Sequence, residues 1–319
     1  MGENTEYRLE ARLRVNLAGL SGSLHRQLQG LMNFVALGLK AAESCNAESL
    51  SLPDVEMPHT LSSAPEIWDS ERLKREFKRW ILAAGVRDAV EAFSLVLESA
   101  REVLAAWSMS LAGEEIPVEL WNSRFVDEGL EFHRKGLPDK LAFLRKNYSV
   151  SLPAAKEGYL LSINHARNCL VHRTGIVAFQ DIEARQSEIR EAIASHRAAS
   201  PTEPWTNAQV RTALQAAGIE PSLQVKWLRL KLFVERDGCR AYLDLREGPQ
   251  DVGGGVVGLE VQLVERTFGL GETVVFDANE FSEIAWTLSN CARNLTEAIE
   301  RRGRELGVPF EGDKPEGDT

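Results

Sequence analysis

The spacing of apolar residues changes from helical to alternating near residue 220, and this change constrains the fold more than any other feature of the chain. Before it, leucines recur every three or four positions, beginning with Leu9 and Leu13, which is typical of amphipathic helices. After it, apolar residues alternate with polar ones, as at Val225 and Trp227, and Asp237 is followed by a glycine, which is a hairpin-turn signal. The sequence therefore predicts a mainly α protein with an α+β C-terminal part.

The helical part is predicted to be a bundle that contains one chemically distinctive helix. A long helix is expected to begin near Asp69, a residue that favours helix N-termini. A later helix is expected to begin at Pro153 and to run to about Arg173, just before Gly175. Proline favours the first turn of a helix and glycine favours its C-terminal cap. We call this predicted helix, residues 153–173, the motif helix.

The best candidate for a domain boundary lies near Pro201 and Pro204. We expect a helical bundle over residues 1–200 and an α+β module over residues 201–310. The module is expected to contain antiparallel strands and a long last helix, with the strands at 225–234, 241–245, 256–264 and 273–276 and the helix at about 279–306. The polar residues 311–319 are expected to form a disordered tail.

Charge and cysteine placement exclude several classes of protein. Lys and Arg number 37 against 47 Asp and Glu, a net charge of −10, so any RNA contact needs a local basic patch. The four cysteines are widely scattered and form no metal-binding or disulfide pattern, so we expect reduced thiols, no metal and no cofactor. The first residues are polar and no apolar run is long enough for a membrane span, so we expect a cytoplasmic protein without membrane partners.

The motif helix carries the densest group of catalytic residue types in the chain. Arg167 and Asn168 are adjacent, and His172 follows Asn168 by four residues, which places these two on one helix face, with His165 on the same side. A guanidinium offers forked donors to phosphate oxygens, and an imidazole exchanges protons near neutral pH. RNA contains its own nucleophile, the ribose 2′-hydroxyl, so such a site needs no metal. A solvated helix face explains the same spacing, and both interpretations are open at this point.

The segment from Arg167 to His172 resembles the R-N-x-x-x-H signature of HEPN domains. Its continuation to Asp181 is similar to the stretch that often follows this signature, and the resemblance covers roughly residues 70–182. It implies a helical bundle that dimerises, so that two copies of the motif form one composite site. The typical activity of the family is metal-independent RNA cleavage that leaves a 2′,3′-cyclic phosphate. Many members act in toxin–antitoxin modules or in defence against phage.

The resemblance also implies a role for each motif residue. Arg167 would bind the scissile phosphate, Asn168 would orient the catalytic groups, and His172 would act as the acid or the base. The implied partners are RNA, a second copy of the chain, and an antitoxin or other regulatory protein. Non-catalytic HEPN domains exist, so the alternative is a dimerisation or interaction module in a regulatory or defence complex.

Five further side chains are predicted to make auxiliary RNA contacts. They are Arg173, His165, Lys140, Arg145 and Lys146. The last three belong to a basic run just before the motif helix, which could follow a nucleic-acid backbone in an otherwise acidic protein. A solvated face between two helices explains the same run, so this alternative is also open.

Overall fold

The computed structural model describes residues 15–44, 70–110, 122–178, 181–182, 207–219, 222–236, 239–243 and 255–310, with 191, 194–195 and 198. The helices in this part of the chain are α1 (Leu17–Ser44), α2 (Ser70–Ser110), α3 (Glu128–His133), α4 (Leu137–Tyr148), α5 (Ala154–His172), α6 (Asn207–Ala216) and α7 (Ala278–Glu305). A π-helical segment, Asn122–Asp127, leads into α3, and the strands are β1 (Ser222–Arg236), β2 (Cys239–Leu243) and β3 (Val256–Gly269). The described chain is thus mostly helical, with a small antiparallel sheet before a long last helix, as the sequence predicted.

The motif helix is α5, and its ends lie within one residue of the predicted positions. His172 lies in the last turn of the helix. The helix ends because the next residues leave helical geometry: Thr174 and Gly175 have φ angles of 50° and 86°. The Cys169 carbonyl accepts both the Arg173 N–H and the Gly175 N–H at 3.1 Å, which closes the last turn of the helix.

The loop after α5 is attached to the C-terminal part of the chain. Ile176 and Thr273 form an isolated antiparallel bridge, and the Val274 N–H donates to the Gly175 carbonyl at 2.7 Å. The prediction of a sheet strand at 273–276 is therefore wrong. The segment is too short to pair further, because Asp277 already caps α7. This bridge fixes the end of α5 that carries the motif.

The strands form one antiparallel sheet in the order β2-β1-β3. β3 pairs with β1 along its whole length, whereas β2 pairs only with the last five residues of β1. Where β1 extends past β2, two side-chain hydroxyls complete its edge. Ser162 of α5 bonds the N–H and C=O of Lys226, and Thr287 of α7 bonds those of Leu228. The motif helix is thereby held directly against the sheet.

The last helix, α7, joins the sheet to the helical bundle. A capping box starts it: the Glu280 N–H donates to Asp277 Oδ1 at 2.8 Å, and the Asp277 N–H donates to Glu280 Oε2 at 2.9 Å. Its apolar face packs against α1, α2, α5 and β1. The residues predicted for this face are all buried, namely Phe281, Ile284, Leu288, Leu295 and Ile299.

One hydrophobic core crosses the predicted domain boundary. Phe93 of α2, Leu160 of α5, Trp227 of β1 and Leu288 of α7 belong to the same buried cluster. The division at residues 200/201 stays a prediction, since most of 183–206 lies outside the described residues, as does the tail at 311–319. In the part of the chain that the structure describes, none of the helices combines the length and apolar character that crossing a bilayer requires.

Candidate functional site

The motif side chains lie on the last turns of α5. Exposure increases toward the end of the helix: Asn164 is buried, Arg167 and Asn168 are half-buried, and His172 is exposed. Since Asn168 and His172 are four residues apart, they share a helix face. The helix therefore places the Asn168 amide one turn from a solvent-exposed imidazole, with the half-buried Arg167 guanidinium one residue before the amide.

Arg167 is held through two of its three guanidinium nitrogens. Its Nη1 donates to Asn168 Oδ1 at 3.1 Å, and its Nη2 donates to Glu91 Oε2 of α2 at 3.4 Å. Its Nε is buried and has no hydrogen-bond partner among the described residues, which is an unfavourable state for a charged donor. The Glu91 side chain is 55% exposed, so the long ion pair to it is weak and a phosphate oxygen can replace it.

The His172 ring is exposed and makes no hydrogen bond or ion pair with another described residue. A histidine that no protein carboxylate engages can exchange protons with a bound ligand. His165 lies two turns earlier on α5 and is half-buried. Of these two predicted imidazoles, His172 is the more exposed.

Cys169, between the motif residues, serves packing and not chemistry. Its side chain is fully buried in the core. Burial, with a smaller contribution from the negative charge of Asp181, raises the pKa of the Cys169 thiol to about 12. A thiol with such a pKa carries almost no thiolate at neutral pH and is a poor nucleophile.

Arg173 is engaged in a bidentate ion pair just after the motif. Its Nε donates to Asp181 Oδ2 at 2.8 Å, and its Nη2 donates to Asp181 Oδ1. Asp181 is 1% exposed and also accepts the Ala178 N–H at 2.8 Å. The hydrogen bond to Asp181 is the main cause that raises the pKa of Arg173. The pair closes the loop after α5, and the auxiliary RNA contact predicted for Arg173 stays a prediction that this geometry does not favour.

The prediction that Lys140 contacts RNA is wrong, because Lys140 is 2% exposed. Its Nζ donates to Ser94 Oγ at 2.7 Å and to Glu98 Oε1 at 2.6 Å. His133 Nδ1 lies 3.0 Å from the same Glu98 oxygen. We call these four residues the closed cluster. Burial by itself would raise the pKa of Glu98, but the hydrogen bonds from Lys140 and His133 outweigh it and hold that pKa below its usual value.

Arg145 and Lys146 are exposed and lie in the last turn of α4. This turn is near the start of α5, whereas the motif is at the end of α5. Arg145 Nη2 donates to Glu157 in the first turn of α5. Ten residues separate Glu157 from Arg167, which corresponds to about 15 Å along a helix. RNA contact by Arg145 and Lys146 stays a prediction, and it requires a substrate that spans this length.

A shallow groove between α1 and α2 is lined in part by Glu91, the partner of Arg167. It has a volume of about 430 Å³, and its lining includes Phe34 and Leu95 on its walls, with Asp88 beside Glu91. The sequence did not point to Glu91 as a site residue, because Glu91 lies 76 residues before Arg167 and is not part of a recognisable motif. The contact shows that α2, and not only the motif helix, shapes the candidate site.

Among the described residues, no group of three or more His, Cys, Asp or Glu side chains is placed to hold a metal ion. The candidate site consists of Arg167, its hydrogen-bond partners Asn168 and Glu91, and the exposed His172. No family model, no curated protein and no solved structure matches this chain.

Proposed function

We propose that this chain is a HEPN-type protein and a metal-independent endoribonuclease. The observation that carries the proposal is the exposed His172 ring on the same helix as the Arg167 guanidinium, whose Nη2 is bound only by the exposed Glu91 carboxylate among the described residues. RNA supplies a nucleophile and a phosphate, so the protein must supply charge stabilisation and proton transfer. Arg167 and His172 are suited to these two tasks.

In the proposed reaction, the ribose 2′-hydroxyl attacks the adjacent phosphorus and the bond from phosphorus to the 5′-oxygen breaks. A general base takes the 2′-hydroxyl proton, and a general acid gives a proton to the leaving 5′-oxygen. The products are a 2′,3′-cyclic phosphate and a 5′-hydroxyl. Arg167 exchanges Glu91 for a phosphate oxygen and stabilises the charge that develops there, while Asn168 keeps the guanidinium oriented.

Two proton transfers on opposite sides of one phosphorus require two groups. Each chain presents one exposed imidazole in the motif, His172. A second copy of α5 facing the first would supply the other imidazole, and the composite dimer site implied by the HEPN resemblance has this property. We place the protein, on the same resemblance, in phage defence or a toxin–antitoxin system, with RNA and a regulatory protein as partners.

The test is cleavage of a mixed RNA pool by the purified chain in excess EDTA, compared with Arg167→Ala and His172→Ala. Cleavage by the wild type that both substitutions abolish, at unchanged melting temperature, is the expected result. Equal activity in all three preparations would show a contaminant, and absence of wild-type cleavage in every buffer would remove the catalytic assignment.

A second candidate is favoured by one observation: both Nη atoms of Arg167 already bind acceptors within the chain. In that case the motif is a hydrogen-bond network at a dimer interface, and the protein is an interaction module without catalysis. His172→Ala would then weaken dimerisation measurably while no RNA product forms. Sedimentation equilibrium beside the cleavage assay separates the two candidates.

A further inference from the structure

The two faces of the sheet differ strongly in how they are covered. On one face, the chain's own side chains shield the strands. The Phe233 ring lies over Gly258, where a Cβ atom would come within 2.4 Å of it. Arg240 lies over the Phe233 ring at 4.6 Å, and Lys231 lies over the Tyr242 ring at 4.9 Å. This face is thus closed by aromatic and long polar side chains.

The opposite face is apolar and exposed along β3. Its four side chains Val257, Leu259, Val261 and Leu263 are between 51% and 64% exposed. They stand opposite Val234, Leu232, Leu230 and Leu228 of β1, so the stripe is apolar on both strands. Exposed apolar residues scattered singly need no explanation, but a contiguous stripe of this kind marks an interaction surface.

β3 is also an edge strand, since among the described residues it pairs with β1 alone. The hydroxyls of Ser162 and Thr287 bind the backbone of Lys226 and Leu228, so the even-numbered residues of β1 point their backbone groups away from β3. Val261 pairs with Leu230, an even-numbered position. In such a pair both residues direct their N–H and C=O groups outward. The apolar residues of β3 are therefore the ones that offer backbone hydrogen bonds at the open edge.

We propose that β3 pairs in antiparallel orientation with β3 of a second copy, with Val261 opposite the partner's Val261 on a two-fold axis. The two sheets then form one six-stranded sheet. Long exposed edges with apolar side chains are the usual template for such pairing. A two-fold axis makes the contact self-complementary, so one surface suffices for both copies.

Charge disfavours the neighbouring register that is centred on Glu260. With Val261 at the axis, Leu259 stands opposite the partner's Leu263, and Glu260 stands opposite the partner's Gln262. A shift that centres the axis on Glu260 would set two glutamates directly against each other, and like charges in that position are destabilising. With Val261 at the axis, the central pairs on the apolar face are apolar against apolar, and no two glutamates stand directly opposite each other.

This pairing involves β3 and is independent of the motif on α5 and of RNA cleavage. A symmetric cross-link tests it, because residues opposite each other in a hydrogen-bonded pair have Cα atoms about 5.5 Å apart, within disulfide range. In a Cys45→Ser, Cys239→Ser background, which leaves only the two cysteines that are buried in the described part of the chain, Val261→Cys should give a disulfide-linked dimer under mild oxidation. Gln262→Cys is the matched control and should give none. Cross-linking by Gln262→Cys and not by Val261→Cys would overturn the proposed register.

A proline variant tests whether the contact uses the strand edge. Val261→Pro removes an N–H that points away from β1, so the β1 ladder keeps its hydrogen bonds. Light scattering should show that Val261→Pro halves the mass of the wild-type assembly, while Val261→Thr, which keeps the N–H and the branched side chain, leaves it unchanged. An unchanged mass for Val261→Pro, or a wild type that is monomeric at all concentrations and does not cross-link, would overturn the proposal.

Discussion

The molecule contains two polar groups of similar composition that differ in how far their contacts are completed. In the closed cluster, the buried Lys140 is shared between Ser94 and Glu98 at 2.6–2.7 Å. At the motif, Arg167 holds an exposed carboxylate at 3.4 Å and keeps a buried Nε without a described partner. Completed contacts stabilise a fold, whereas incomplete ones leave capacity for a ligand. The comparison teaches that residue type alone did not separate the two groups.

The largest expected effect is on catalysis at the motif residues Arg167, Asn168 and His172, which we call the open group. His172→Ala should lower the rate of RNA cleavage by about 1,000-fold, since a positioned general acid or base contributes about 100- to 10,000-fold. Its free energy of unfolding should change by less than about 0.5 kcal/mol, because the ring is exposed. His133→Ala is the control, an exposed histidine of the closed cluster, and its cleavage rate should equal that of the wild type.

The reverse pattern is expected at the closed cluster. Lys140→Met should lower the free energy of unfolding by about 3 kcal/mol, because Ser94 and Glu98 lose a buried partner. Urea denaturation measures this loss. Cleavage per folded molecule should not change. A Lys140→Met protein as stable as the wild type would show that the closed cluster contributes little to the stability of the fold. The contrast between a structural cluster and a functional motif would then fail.

A smaller effect concerns pH. Because hydrogen bonds keep the pKa of Glu98 below its usual value near 4.5, its contribution to stability is present above about pH 4.5 and is lost as the pH falls through the lowered pKa. The free energy of unfolding, measured in urea from pH 6 to pH 3, should therefore fall less steeply for Glu98→Gln than for the wild type. Equal slopes would contradict the assigned pairing.

The smallest effect is expected at Glu91. Glu91→Gln should leave stability within about 0.5 kcal/mol of the wild type, because the ion pair is long and exposed. It should strengthen RNA binding a few-fold at low salt, since the guanidinium no longer has to leave a carboxylate. Asp88→Asn removes a neighbouring charge that pairs with Arg87 and is the control for the change in net charge. Equal strengthening by both variants would reduce the effect to net charge.

The sequence predicted local structure well and long-range contacts poorly. The motif helix followed from Pro153 and Gly175, and the sheet followed from alternation around Trp227. The burial of Lys140 could not be predicted, because its partner Glu98 lies 42 residues away on α2. Lysine in a basic run is normally solvated, and only the packing of α4 against α2 changes that.

The same limit applied to the sheet. Alternation predicted β3, but it could not show which residues would stand at an open edge, since that depends on where Ser162 and Thr287 bind β1. The segment at 273–276 looked like a strand because it is apolar, yet its partner is the loop after the motif. The sequence predicted which segments form helices and strands, but it did not predict which of them lie next to each other.

The most direct test of the central claim is a comparison of one RNA with the same RNA carrying a single 2′-deoxy sugar at the cleaved position, both incubated with the wild type in EDTA. The account predicts that the RNA is cut to a 2′,3′-cyclic phosphate and that the deoxy substrate is not cut at that position. His172→Ala, purified in parallel, should cut neither. Cleavage of the deoxy substrate at the same site, or equal cleavage by His172→Ala, would contradict the assignment of the open group as a ribonuclease site.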